Sequence, residues 1–116
     1  WAPRKAFETM HKGGAFIIHA HPFRERDYIN HIHLFPRDVD GVEVMNGGQL
    51  LEPWMNERAE IYAMMYDLPK TSGSDAHYHG TLPKCGIETE QLIEKPTDYL
   101  ELMKAGRLKL LDGGQA

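Results

Sequence analysis

Residues 15–23 read "AFIIHAHPF". Four apolar residues lead into His19, Ala20 and His21, and Pro22 closes the run. With no polar alternation ahead of His19, the stretch reads as a strand covered on both faces, as in parallel sheets. Residues two apart on a strand share a face, so His19 and His21 are placed on one side of its carboxyl end. Parallel strands need long crossovers, usually helical, so this reading asks for helices on both flanks.

The flanks supply them. Upstream, "PRKAFETMHKGG" (3–14) has Pro3 in a helix-first position and puts Ala6, Phe7, Met10 and His11 on one face. Gly13 and Gly14 stop it. Downstream, "RERDYINHI" (24–32) is read as a short helix, and "DGVEVMNG" (40–47) as a second strand between a Gly entry and an Asn-Gly exit. The strongest helix is "EPWMNERAEIYAMMYD" (52–67), with Pro53 in its first turn. Met55, Ala59, Tyr62 and Met65 recur along it as an apolar stripe. "KTSGSDAH" (70–77) is a short strand running into a loop. "CGIETE" (85–90) is a strand or an extended arm. "KPTDYLELMKAG" (95–106) is a helix from Pro96 to a Gly106 stop. "RLKLLDGG" (107–114) alternates like a half-exposed strand, and the tail after it is expected to fray. The fold class is therefore α/β, with parallel strands and outer helices.

Sites in such folds gather at the carboxyl ends of strands. Three ends here carry polar residues: His19 and His21 on the first, Glu43 and Asn46 on the second, Asp75 and His77 on the third. Nitrogen and oxygen donors converging from separate strands suit a transition metal.

The bulk numbers bound the alternatives. The 116 residues make one domain at most. A net charge of −4 does not suggest a basic groove for nucleic acid. No run is long enough to span a bilayer, and the chain does not begin like a signal peptide. A lone cysteine, Cys85, excludes an intrachain disulfide and points to a reducing, cytoplasmic setting. The unusual figure is seven histidines, six of them in three His-x-His pairs: 19/21, 31/33 and 77/79.

Taken in order, "GGAFIIHAHPFR" (13–24), "DGVEVMNG", Asn56 with Ala59, and "LPKTSGSDAH" (68–77) resemble the later part of the PHP family, named for polymerase and histidinol phosphatase members. The resemblance runs from about residue 4 to residue 111. It implies a distorted (β/α)7 barrel that holds up to three metal ions at its C-terminal mouth and hydrolyses phosphate esters. By the matching motifs, His21, Asp75 and His77 would be metal ligands, and Asp75 would also steer the attacking water. Glu43 would stand behind the ligands or on the substrate side. A PHP domain opens with an Asp-x-His-x-His strand. "HIHLF" (31–35) has the spacing, but it stands between two later motifs with no acid ahead of it. Residues 1–116 are therefore read as a single incomplete domain, the C-terminal half of a partial barrel. At most one Zn, Mn or Fe ion is expected on it, and little activity when it is alone.

The remaining residues carry two readings each. His19 is either a hydrogen-bonded interior residue or a ligand. His79 is either a solvated loop residue or a phosphate contact. Arg24 either pairs a substrate phosphate or is an exposed charge beside Glu25 and Asp27. His31 and His33 are read as surface residues. The implied function is a metal-dependent phosphoesterase acting on a phosphorylated small molecule or nucleotide. The alternatives are a non-catalytic assembly or binding module and a PHP-type nuclease. The expected partners are the missing N-terminal half of the barrel or a second copy of the chain, with no membrane.

Overall fold

A computed structural model of the chain describes residues 3–29, 31–77 and 84–111. Its centre is β2 (Gly41–Asn46), where Val42 and Val44 are almost wholly buried. A short β1 (Ile18–His19) pairs with it on one side and β3 (Lys70–Gly73) on the other, both parallel. The order β1-β2-β3 brings the three carboxyl ends to one edge of the sheet. The run 15–23 pairs over two residues only. Beyond His19 the backbone turns away, and His21 takes a positive φ of 26°.

The register between β2 and β3 slips between Glu43 and Met45. In an even pleat, residues three apart face opposite sides. The extra residue re-aims the strand end, and the Glu43 and Asn46 side chains meet, with Asn46 Nδ2 donating to Glu43 Oε1 at 2.7 Å.

Helix α1 (Pro3–Lys12) buries none of its residues fully. Phe7 packs edge-on against Phe35, and the His11 ring contacts Asp40 Oδ2 at 2.9 Å. Helix α2 (Pro53–Met65) covers β2 with Ala59, Tyr62 and Ala63. Burying an apolar side chain of that kind stabilises by about 1.5–3 kcal/mol for the larger ones, so this face fixes the helix on the sheet. Met65 was expected on that stripe and is 73% exposed. The 3.6-residue period carries it off the face, and Ala63 takes its place.

The strand β4 (Gly86–Glu88), helix α3 (Pro96–Lys104) and strand β5 (Lys109–Leu111) build a second core around Leu102, Met103 and Leu108. Asp98 Oδ2 caps α3 by accepting from the Glu94 and Lys95 amides. The hydroxyls of Thr71 and Tyr99 bond to each other, which ties this unit to β3.

Two expectations are corrected. Among the described residues of 24–32 there is a turn at Asp27 and Tyr28 and no helix, because Arg24 turns inward and Pro22 has already broken the run. The strands are not all parallel: β4 and β5 pair antiparallel, which sets Ile87 opposite Leu110, and both pack on the core around Leu102 and Met103. Among the described residues the parallel strands form an open three-stranded sheet. No helix among them is long and apolar enough to cross a membrane.

Candidate functional site

The edge where β1, β2 and β3 end is polar and largely closed. After β1 the chain turns at His21, with the Arg24 amide donating to the His21 carbonyl at 3.2 Å. That turn points Arg24 inward, where its side chain is only 9% exposed. All three guanidinium nitrogens are taken. Nη1 pairs with Asp75 Oδ2 at 2.7 Å, Nη2 donates to Asn46 Oδ1 at 2.8 Å, and Nε donates to Gln49 Oε1 at 3.3 Å.

From Asn46 the network continues to β1. Glu43 Oε1 accepts from Asn46 Nδ2 and, at 2.9 Å, from the His21 amide. Asp75 is thus linked through Arg24, Asn46 and Glu43 to His21. From below, Asn56 on α2 accepts from the Asn46 amide at 3.1 Å and from Gln49 Nε2 at 2.6 Å. Buried polar groups left without partners are costly, so each member needs the others in place.

Close approach sets the residue types around it. A Cβ on Gly48 would lie 2.7 Å from Asp75 Oδ2 and 3.1 Å from Arg24 Nη2. A Cβ on Gly73 would lie 2.6 Å from Glu43 Oε2. Both residues that end the network, His21 and Asp75, have left-handed backbones, with φ of 26° and 55°. Non-glycine residues stay there where the surroundings over-determine them.

Burial by itself would raise the Asp75 carboxyl pKa. The Arg24 hydrogen bond and charge outweigh it, with help from His21 and His77, and the net shift is downward. Burial pushes the His19 imidazole down, and His21 adds to that. The His19 Nδ1 atom is buried and finds no hydrogen-bond partner among the described residues.

The expected site residues are brought together unevenly. His21, Glu43, Arg24 and Asp75 meet at the strand ends. His77 leans outward at 73% side-chain exposure, its Nδ1 lying 2.9 Å from the Asp75 carbonyl oxygen and 3.8 Å from Asp75 Oδ1. β3 ends at Gly73, so Asp75 and His77 lie past the strand and its alternation does not set them on one face. Arg24 is not an exposed charge. His31 and His33 are exposed, as expected, and line a cavity of about 240 Å³ with His19, His21 and Phe35. His79 lies outside the described residues.

Sequence reasoning missed Gln49 and Gly48. Their only signal is the "NGGQ" stretch (46–49), two amides around a glycine pair, which reads simply as a turn. Among the described residues, no group of three or more His, Cys, Asp or Glu side chains converges to hold a metal ion. Asp75 faces a guanidinium and His77 faces solvent, so these residues do not by themselves fit the metal centre that the resemblance implies.

Comparison with known proteins follows the same line. Residues 53–108 match the family model described as PHP-associated, so over those residues the chain is similar to that family. The match takes in Asp75 and His77; the "AHPF" and "GVEV" motifs stand upstream of it. An uncharacterized protein of Methanocaldococcus jannaschii is 30% identical over 128 aligned positions, which cover 92% of this chain and 50% of the relative. The chain thus spans about half the length of the curated relative it matches. No solved structure matches it.

Proposed function

We propose that this chain is the C-terminal part of a PHP-type phosphoesterase, which hydrolyses phosphate esters once its barrel is complete and has little activity alone. The observation that supports this reading is the convergence of three parallel strand ends on one rim, with His21, Glu43 and Asp75 tied together there. The PHP-associated match over 53–108 includes one of those ends. In the complete protein this segment is the later part of a (β/α) barrel. Its Zn, Mn or Fe centre would draw its donors from outside the described residues, with His21 and His77 at its edge; Asp75, at a position where the resemblance implies a ligand, is held by Arg24. A phosphorylated small molecule or nucleotide as substrate, and a cytoplasmic setting, belong to the same proposal.

The test is hydrolysis of p-nitrophenyl phosphate and of nucleotides, by the 116-residue chain and by the polypeptide as the cell makes it. Turnover by the latter, abolished by a chelator and by Asp75→Ala, is the expected result. Chelator-sensitive turnover by the isolated chain at the same rate would show that this part is complete by itself. No turnover in either form would sink the hydrolytic reading.

One observation favours the assembly alternative. The outer side of α2 and its approach expose Leu51, Trp54, Ile61, Met64 and Met65, an apolar surface more usual at an interface than on a free monomer. A chain that runs as a monomer on a sizing column at micromolar concentration counts against it.

A further inference from the structure

The PHP resemblance puts a metal ion beside Asp75, and the structure puts a guanidinium there. We infer that Arg24 is the resident cation of Asp75 and closes this carboxylate to divalent metals in the chain. The inference rests on the proposed reading, in which Asp75 stands at a ligand position of a PHP-type site.

Three observations carry it. First, Arg24 Nη1 lies 2.7 Å from Asp75 Oδ2, the distance of a charge-assisted hydrogen bond, so that oxygen already has a cation. Second, the guanidinium is fixed from behind by Asn46 Oδ1 and Gln49 Oε1 at 9% exposure. It cannot deprotonate. To leave, it would strand a buried charge on two neutral amides. Third, the space around Oδ2 is taken. The Gly48 backbone passes so close that even a Cβ there would lie 2.7 Å from the oxygen. Only Oδ1 is left, with His77 Nδ1 at 3.8 Å. A divalent ion bound at Oδ1 would sit beside a fixed positive charge and find at most two His, Cys, Asp or Glu donors among the described residues, where a transition-metal site takes three or four.

The Arg24 fork also explains the backbone at Asp75. A guanidinium held at two further points is a rigid template for a carboxylate, and it positions the left-handed residue that carries it. Arg24 is in this sense a positioning residue: it acts on Asp75, and through Asn46 and Glu43 on the His21 amide.

The experiment is titration of the untagged chain with Zn²⁺, followed by calorimetry and by the side-chain Nε–H resonance of Arg24 in ¹H–¹⁵N spectra. The wild type, Asp75→Asn and Arg24→Gln are compared. In the wild type, any Zn²⁺ binding is expected to be the same in Asp75→Asn, and the Arg24 resonance to stay in place. Arg24→Gln is expected to gain a site at least about tenfold tighter, lost again when Asp75→Asn is added. A wild-type Arg24 resonance that shifts to saturation at one equivalent of Zn²⁺, but not in Asp75→Asn, overturns the inference. So does a folded Arg24→Gln chain that gains no Asp75-dependent site. The wild-type spectra decide the matter if Arg24→Gln does not fold. These readouts need no turnover, so failure here is distinct from failure of the phosphoesterase reading.

Discussion

The two halves of the molecule are held together by different physics. At the carboxyl ends of β1, β2 and β3, side chains from residues 21 to 75 meet through charges and amides. In the unit built from β4, α3 and β5, Leu102, Met103 and Leu108 pack with Ile18, Ile87, Ile93 and Tyr99. The first region is directional: remove one partner and the rest are left buried and unsatisfied. The second is close to additive in buried area. The directional region demands geometry, while the apolar region tolerates repacking.

The sharpest break of this contrast is Arg24→Ala. It leaves Asp75 without its counter-charge and Gln49 Oε1 without a donor, and Asn46 Oδ1 keeps only the Gly48 amide of its two donors. A loss of about 3–5 kcal/mol is expected, the cost of breaking a buried pair by removing one partner, measured by urea unfolding. Met103→Ala tests the apolar half. Met103 is 1% exposed, and a loss of about 3 kcal/mol is expected from transfer and cavity terms. The same unfolding curves should show its Met103→Leu counterpart nearly unchanged, whereas Arg24→Lys should stay well below wild type because an ammonium cannot make the fork.

Gly48→Ala comes next. It adds one methyl group against Asp75 Oδ2 and Arg24 Nη2, and overpacking of this kind costs about 1–3 kcal/mol. A neutral Gly48→Ala in thermal melts would mean that the clasp is loose, and the contrast between the halves would fade. The smallest effect is the pH dependence at Asp75. Its folded pKa lies below the ordinary value. Its contribution is therefore fully present above the unfolded value, about pH 4, and is lost as pH falls through the depressed folded value. The stability gap between wild type and Asp75→Asn should close below about pH 4. Met103→Ala should show the same loss at every pH.

Much of the local structure was legible. Pro53 and Pro96 mark the starts of α2 and α3, and Gly106 follows the end of α3. The Val pair of "DGVEVMNG" marks β2. The "GSDAH" motif pointed to a PHP relationship that the match over 53–108 bears out. What was not legible involves pairing across the chain. "RERDYINHI" has a helical look, but Arg24 is recruited inward by Asp75, fifty-one positions later. The β2–β3 register slip that joins Glu43 to Asn46 depends on which residues of β3 stand opposite. Gln49 reads as a turn residue until Asn56 and Arg24 are placed beside it.

Apart from the helix expected at 24–32, the sequence by itself determined the kinds of elements and their order, because periodicity, proline and glycine act within a few residues of their own position. It also determined which residues stand at the strand ends, since those follow directly on the apolar runs. Only the tertiary structure decided that Asp75 meets a guanidinium. It also decided that His77 faces solvent and that the last two strands pair antiparallel. Those outcomes depend on charge partners and register chosen among residues tens of positions apart, where burying Arg24 requires Asp75, Asn46 and Gln49 around it.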